Sequence, residues 1–193
     1  MIEFQKNIKI KDLEARLGKK IKRNSSAIGV DTASRTGWAL IRTTEKLAFF
    51  SYGVVDIQTK DRLFKYNKFI EFFESLFYNW ANTKTTVVIE DTFFRHNPHM
   101  YAMISRFGAI VYTIAHLFGY KNKMFIRASS ARAKIGLAGN AKKVQIQKQL
   151  KEKLNLNIED KDVLDAIVLA LCGLIEEPTK KTKKPKIKKL RGI

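Results

Sequence analysis

Four acids stand where their chemistry calls for a reason. Asp31 closes the apolar run SAIGVD (26–31), Glu90 falls at the end of TTVVIED (85–91), and Asp162 and Asp165 open DVLDAIVLALCGLIE (162–176). An acid at a strand end is ordinarily a turn residue, and one at a helix start is ordinarily a cap. Asp165 resists that reading, because it sits inside an apolar run where burial favours hydrocarbon and an unpaired buried carboxylate is costly. Asp162 and Asp165 are three apart, so they share one face at the helix's N-terminal end. With the Glu90 strand beside the Asp31 strand, carboxylates from three distant segments converge at one edge of a sheet. Like charges at that range repel unless cations lie between them, and oxygen-only ligands suit Mg2+ or Mn2+. A pair of such ions about 3.5–4 Å apart hydrolyses phosphodiesters, one activating a water and the other stabilising the leaving oxygen.

The elements that must position these acids are legible from periodicity. Residues 26–31, 36–42 and 46–57 read as three strands with short connections, hence an antiparallel meander. Residues 62–82 place Leu63, Tyr66, Phe69, Ile70, Phe73, Leu76, Phe77 and Trp80 at helical spacing, which predicts an amphipathic helix packed on that sheet. A fourth strand follows at 85–91, then a very apolar helix at 98–119 with proline at its start and glycine at its end. A fifth strand is expected at 123–129 and two more helices at 140–154 and 162–176, with Asn140 and Asp160 or Asp162 as N-caps. The order βββαβαβαα predicts an α/β fold, a mixed five-stranded sheet with helices on both faces. The helix at 98–119 is apolar on more than one face, so one face is expected on the sheet and the other on a second copy, giving a homodimer.

Composition sets the partner class. The 193 residues carry 37 Lys+Arg against 18 Asp+Glu, a formal charge of +19, which points to a polyanion, nucleic acid before an anionic membrane surface. Much of the excess lies in two segments. Residues 1–23 hold eight basic and three acidic side chains, and 178–193 hold eight basic and none acidic. Both are expected to be solvated basic arms around a single nuclease-sized domain at 24–177. The tails lack the interleaved large apolar residues of a membrane-surface helix, and no apolar run approaches a membrane span. The lone Cys172 lies in an apolar run and forms no disulfide within the chain. A soluble intracellular protein is expected, in the cytoplasm of a bacterial or phage-infected cell, although KKTKKPKIKK also resembles a nuclear-import signal. GLAGNAKK lacks the Gly-Lys-Ser/Thr of a phosphate loop, and His96 and His99 lack the further ligands of a zinc site.

Four stretches in series resemble the RuvC family of Holliday-junction resolvases, within the RNase H-like nuclease superfamily. IGVDTASRTGWALI is similar to the family's first-strand motif, VVIEDTFFRHNP to its glutamate strand and following loop, GLAGNAKKVQIQKQL to its glycine and lysine segment, and DVLDAIVLALC to its last-helix D-x-x-D. The resemblance runs from about Ala27 to Leu174. It implies that Asp31, Glu90, Asp162 and Asp165 are catalytic acids holding two Mg2+ per active site, for which Mn2+ can substitute. It also implies that Lys143 and Arg132 lie near the scissile phosphate, and that Phe93 is an aromatic near the centre of a four-way junction. Lys142, Arg35 and Arg95 are the remaining candidate DNA contacts. The enzyme so implied is a homodimer that nicks branched DNA in symmetric pairs. One departure is visible: Thr32 and Ala33 replace the Pro-Gly pair usual after the first aspartate. The alternatives are another RNase H-like nuclease, acting on flaps, branched replication intermediates or RNA–DNA hybrid, and a non-catalytic nucleic-acid binder of the same fold. Four intact carboxylates argue against the last.

Overall fold

The structure, a computed structural model, describes residues 4–33, 35–80, 84–91 and 97–176. Its sheet has six strands: β1 (Lys6–Lys9), β2 (Ser26–Asp31), β3 (Arg35–Thr43), β4 (Leu47–Asp56), β5 (Thr85–Glu90) and β6 (Asn122–Ile126), in the spatial order β1-β4-β3-β2-β5-β6. The meander β2-β3-β4 is antiparallel, while β5 pairs parallel to β2 and β6 parallel to β5. The helices are α1 (Ile10–Leu17), α2 (Arg62–Trp80), α3 (Pro98–Leu117), α4 (Ala128–Lys134), α5 (Lys143–Leu154) and α6 (Lys161–Leu174).

The two faces of the sheet support separate cores. On one face, Ile28, Val30, Leu40, Val87 and Ile89 pack against Phe69, Phe73 and Phe77 of α2 and Phe107 and Val111 of α3. On the other face, Ala27, Ile41 and Val88 meet α6, with α1, α4 and α5 completing the layer. Strand alternation therefore assigns Asp31 and Glu90 to the α6 face, since each lies two or four residues from a partner already there. Helix α6 is buried along nearly its whole length, as its almost unbroken apolar sequence requires.

Close approach of α6 depends on two glycines. A Cβ added at Gly29 would stand 2.1 Å from the backbone oxygen of Ala166, and one at Gly37 would stand 2.1 Å from that of Asp162. Only a residue without a side chain lets the helix backbone rest directly on β2 and β3 there.

Several expectations need correcting. The sheet has six strands rather than five, because residues 6–9 pair antiparallel with β4, from Lys6 opposite Phe50 to Lys9 opposite Leu47. Residues 4–22 of the N-terminal segment are correspondingly folded and not a solvated arm. Ile8, Ile10, Leu13, Leu17 and Ile21 are buried in the α6-side core, and Lys22 joins the end of α6 through its amide N–H, which donates to Leu174 O at 2.9 Å. Its charge count conceals a strand and a helix whose apolar residues all point one way. Helix α4 has no counterpart among the expected elements, and α5 begins at Lys143 with Lys142, not Asn140, at its N-cap. Asp160 caps α6, its side chain accepting from Asp162 N–H at 2.9 Å. The C-terminal basic segment 178–193 lies outside the described residues. No helix among the described residues is long and apolar enough to cross a membrane.

Candidate active site

The parallel pairing of β2 with β5 sets Val30 opposite Ile89. One residue further along each strand, Asp31 and Glu90 emerge side by side on the α6 face. Helix α6, seated on Gly29 and Gly37, brings its first turns over the same strand ends. Asp165 is thereby buried to 3% exposure and Asp31 to 7%. These acids line an open cleft of about 860 Å³, together with Lys143 and Arg132.

Electrostatics explain how buried carboxylates persist at such close quarters. Arg132 Nη2 donates to Asp165 Oδ1 at 2.7 Å, a largely buried charge-assisted bond that fixes the carboxylate's orientation. The ammonium of Lys143 stands 3.3 Å from Asp165 Oδ2, 3.4 Å from Asp162 Oδ1 and 4.0 Å from Asp31 Oδ2. Burial pulls that ammonium's pKa down, but Asp165, Asp31 and Asp162 outweigh it, so Lys143 ends above the ordinary lysine range. Asp31 is pushed well above the usual carboxylate range, first by burial and then by a hydrogen bond shared with Glu90. The Lys143 ammonium, 4.0 Å from Asp31 Oδ2, pulls the other way without offsetting burial and Glu90.

Four predicted site residues lie together with Asp31: Glu90, Asp165, Lys143 and Arg132 line one cleft. Asp162 sits at its margin, divided between Lys143 and Arg35, whose Nη1 donates to Asp162 Oδ2 at 2.9 Å. Arg35 does not present a free guanidinium. It also binds both carboxylate oxygens of Asp160 and stands 3.6 Å from Asp56. Those bonds from Arg35 hold Asp160 below the usual carboxylate range and raise Arg35 in turn. Its geometry is that of a clamp joining the start of β3 to the start of α6. Lys142 is exposed beside the cleft, its backbone N–H donating to Gln145 Oε1 at 2.8 Å. Phe93 and Arg95 lie outside the described residues. Sequence reasoning missed Thr32, Arg127 and Asn140 as cleft-lining groups; a threonine after a strand-end acid and an arginine before a short helix carry no signal of their own.

The donor set suits a hard divalent cation. Every acidic ligand is a carboxylate oxygen, and the buried Thr32 Oγ1, which lines the same cleft, has no hydrogen-bond partner among the described residues. As the side chains stand, no three of the described acids, histidines or cysteines form a ready metal-binding group. Lys143 occupies the space among the carboxylates instead.

An α/β chain with a mixed sheet in this order, its acids gathered at the ends of two adjacent parallel strands and the start of a buried helix, has the RNase H-like fold. More specifically, the model of the crossover junction endodeoxyribonuclease RuvC matches residues 27–173, and the chain belongs to that family of divalent-metal-dependent nucleases of DNA junctions. It is similar to the Thermus thermophilus RuvC structure at 14% identity and a TM-score of 0.63, with 76% of this chain and 92% of that chain covered. It is likewise similar to T. thermophilus RuvC in complex with Holliday junction substrate, at 13% identity and a TM-score of 0.64, covering 77% and 91%. At these identities the likeness is one of fold. No curated protein matches the sequence.

Proposed function

We propose that this protein is a Mg2+-dependent endonuclease that resolves four-way DNA junctions by paired, symmetric nicks. The observation that carries the reading is the gathering of Asp31, Glu90 and Asp165 with Lys143 and Arg132 in one open cleft, on a chain of the RuvC family. Asp31, Glu90 and Asp165 are the residues that would hold the metal, with Asp162 at the margin. When bound, a pair of divalent cations supplies an activated water and neutralises charge on the leaving oxygen. The chain's own groups do the rest. Arg132 locks Asp165 in one orientation, so that ligand is preorganised before DNA arrives. Lys143, whose ammonium lies among Asp31, Asp162 and Asp165, would meet a phosphate oxygen of the substrate at the cleft. The Arg35 clamp keeps the start of α6, and with it Asp162 and Asp165, against the sheet. The net positive charge steers the polyanion toward the cleft.

A substrate panel tests this reading. Purified protein incubated with a mobile four-way junction, a flap and an RNA–DNA hybrid should cut the junction preferentially in Mg2+, at symmetric positions on two strands, and EDTA should abolish the cutting. Preferential cutting of the hybrid would overturn the junction assignment while leaving the nuclease fold intact.

Paired nicking needs two active sites, and α3 is the surface we propose for the second copy. Its inner face, including Phe107, Gly108, Val111 and Ile114, is buried on the sheet, so Gly108 serves intramolecular packing. Its solvent side exposes Ala109 and Leu117, the latter at 76%, among Arg106, Thr113 and His116, with Tyr112 stacked on Phe125 at its flank, and the apolar part of that exposure favours a partner. Sedimentation at micromolar concentration should show a dimer that Leu117→Glu together with Tyr112→Glu converts to monomer. A wild-type monomer under those conditions would count against paired nicking.

A further inference from the structure

The N-terminal segment lies outside the residues matched to the family, 27–173, yet it is folded against the wall of the cleft. Helix α1 packs on α5: Ile10, Leu13 and Leu17 share a core with Ile146, Leu150 and Leu154. At the far end of α5, Arg16 Nη1 donates to Lys153 O at 3.0 Å. At the near end, the ammonium of Lys143 lies among the cleft's carboxylates. The 12 residues of α5 span about 18 Å at 1.5 Å per residue. Along that path Lys142, Lys148 and Lys151 are exposed, and past its end Lys19 and Lys20 of the N-terminal segment are exposed too. The acids nearby are Glu152, paired to Lys148 at 3.8 Å, Glu14, bound by Arg23 at 2.8 Å and also within the field of Lys20, Asp12, exposed on α1, and Glu176, exposed and joined to Lys20 through its backbone N–H, which donates to Lys20 O at 3.0 Å; the lysines outnumber them along the path.

We propose that α5 and the end of α1 form a lysine ridge that leads away from the cleft and holds the phosphate backbone of one DNA arm of the substrate. This deepens the junction reading and rests on it for the identity of the arm. A ridge of about 18 Å matches about five nucleotides at 3.4 Å per nucleotide of one strand. Lysine suits the task because a flexible ammonium contacts phosphates without reading bases, so the ridge adds affinity and orients the arm while sequence choice stays elsewhere. It also gives the N-terminal segment a role that sheet and core packing alone do not explain: its apolar face completes the core, while its lysines remain in solvent at the end of a basic path that begins in the cleft.

The test uses the full chain carrying Lys19→Ala and Lys20→Ala, and binding is measured without metal over a range of salt. The DNA probes are junctions with arms that end short of the ridge, junctions with arms that overrun it, and a linear duplex of the longer length. For long arms, the slope of log K against log salt should become shallower by about 2, at about 0.9 for each phosphate that a lysine no longer neutralises, with weakening of at least about tenfold at low salt. Short-armed junctions should bind and be cut as by wild type, which also shows that the variant is folded. Arginine at both positions should restore the long-arm slope. An unchanged slope on long arms overturns the ridge, as does equal weakening on short and long arms. Loss of binding to phosphatidylserine vesicles with unchanged DNA binding also overturns it and assigns the lysines to a membrane surface. If the variant weakens binding to long duplex as much as to long-armed junction, and wild type shows no junction preference, the ridge stands and the junction reading falls.

Discussion

Asp31→Asn should lower cleavage by at least about three orders of magnitude, about 4 kcal/mol of barrier at 1.36 per decade, while raising the melting temperature of the metal-free protein near neutral pH. The two effects have one cause. Asp31 is buried and shares a hydrogen bond with Glu90, and burial followed by that bond pushes its carboxyl well above the usual range. In the window above an unfolded value of about 3.9, the native chain holds a proton that the unfolded chain has released, so stability falls as pH rises. A neutral amide can still donate to Glu90 but cannot ionise, which removes that pH-dependent cost and the metal ligand together. Melting curves of wild type and variant from acid to neutral pH, in EDTA, should diverge as pH rises, with the variant the more stable. Saturating Mg2+ should narrow the gap by stabilising wild type more. Asp165→Asn should also abolish cleavage, but with the opposite effect on stability. Its carboxylate partners Arg132 at 2.7 Å, and removing the charge leaves a largely buried guanidinium without its counterion. Junction binding should survive in both, because affinity rests on Lys and Arg contacts to phosphates. Full cleavage by Asp31→Asn, or identical pH dependence of melting in wild type and variant, would remove Asp31 from the proposed metal site.

The contrast between these two acids shows what can be read from the sequence and what cannot. Asp165 is conspicuous because a carboxylate within VLDAIVLALC has no cheap structural explanation, and it is indeed buried, with a cationic partner. Glu90 and Asp31 are legible as strand-end acids, and the parallel pairing of their strands follows from the intervening helix α2 on one face. The roles of the cations are less visible. Arg35 reads from sequence as a candidate DNA contact; its actual partners, Asp160 and Asp162, lie 125 and 127 positions away in the chain, and only the tertiary fold brings them to it. The same limit conceals β1 and α1. In the first 23 residues charge dominates the composition, and the buried Ile8, Ile10, Leu13, Leu17 and Ile21, spread over a short strand, a short helix and a bridge, give too brief a period to stand out. Helix α4, at seven residues, is held by Ala131 packing in the core and by Arg132 reaching Asp165, long-range contacts that no local pattern announces. Phe93 and Arg95, read from sequence as DNA contacts, lie outside the described residues and remain proposals on the sequence resemblance alone.

The second large effect is expected at a residue with no chemistry. Gly29→Ala adds one methyl group to β2, and that carbon would stand 2.1 Å from Ala166 O and 2.4 Å from Ala170 N. Both neighbours are backbone, so no rotamer change relieves the contact and α6 must move off the sheet. Overpacking in cores costs about 1–3 kcal/mol where side chains can yield; here a helix buried along nearly its whole length must shift, so the loss should lie at or beyond the top of that range. Displacement at Ala166 carries the adjacent Asp165 with it. The Arg132 bond at 2.7 Å and the Lys143 ion pair at 3.3 Å both depend on that position, and a misplacement of about 1 Å in such a site costs about 100-fold in rate. Gly53→Ala is the matched control, because the three atoms nearest a Cβ there all belong to the Trp38 ring, the closest at 3.2 Å, and a ring edge can yield by a few tenths of an ångström. Thermal melting and junction cleavage of the two variants should therefore separate: Gly53→Ala near wild type in both, Gly29→Ala strongly lowered in melting temperature and, at temperatures where it is still folded, lowered in rate. Were Gly29→Ala to melt and cleave like Gly53→Ala, the seating of α6 on β2 could not be what places Asp165 beside Asp31, and the assembly of the cleft would need a different physical basis.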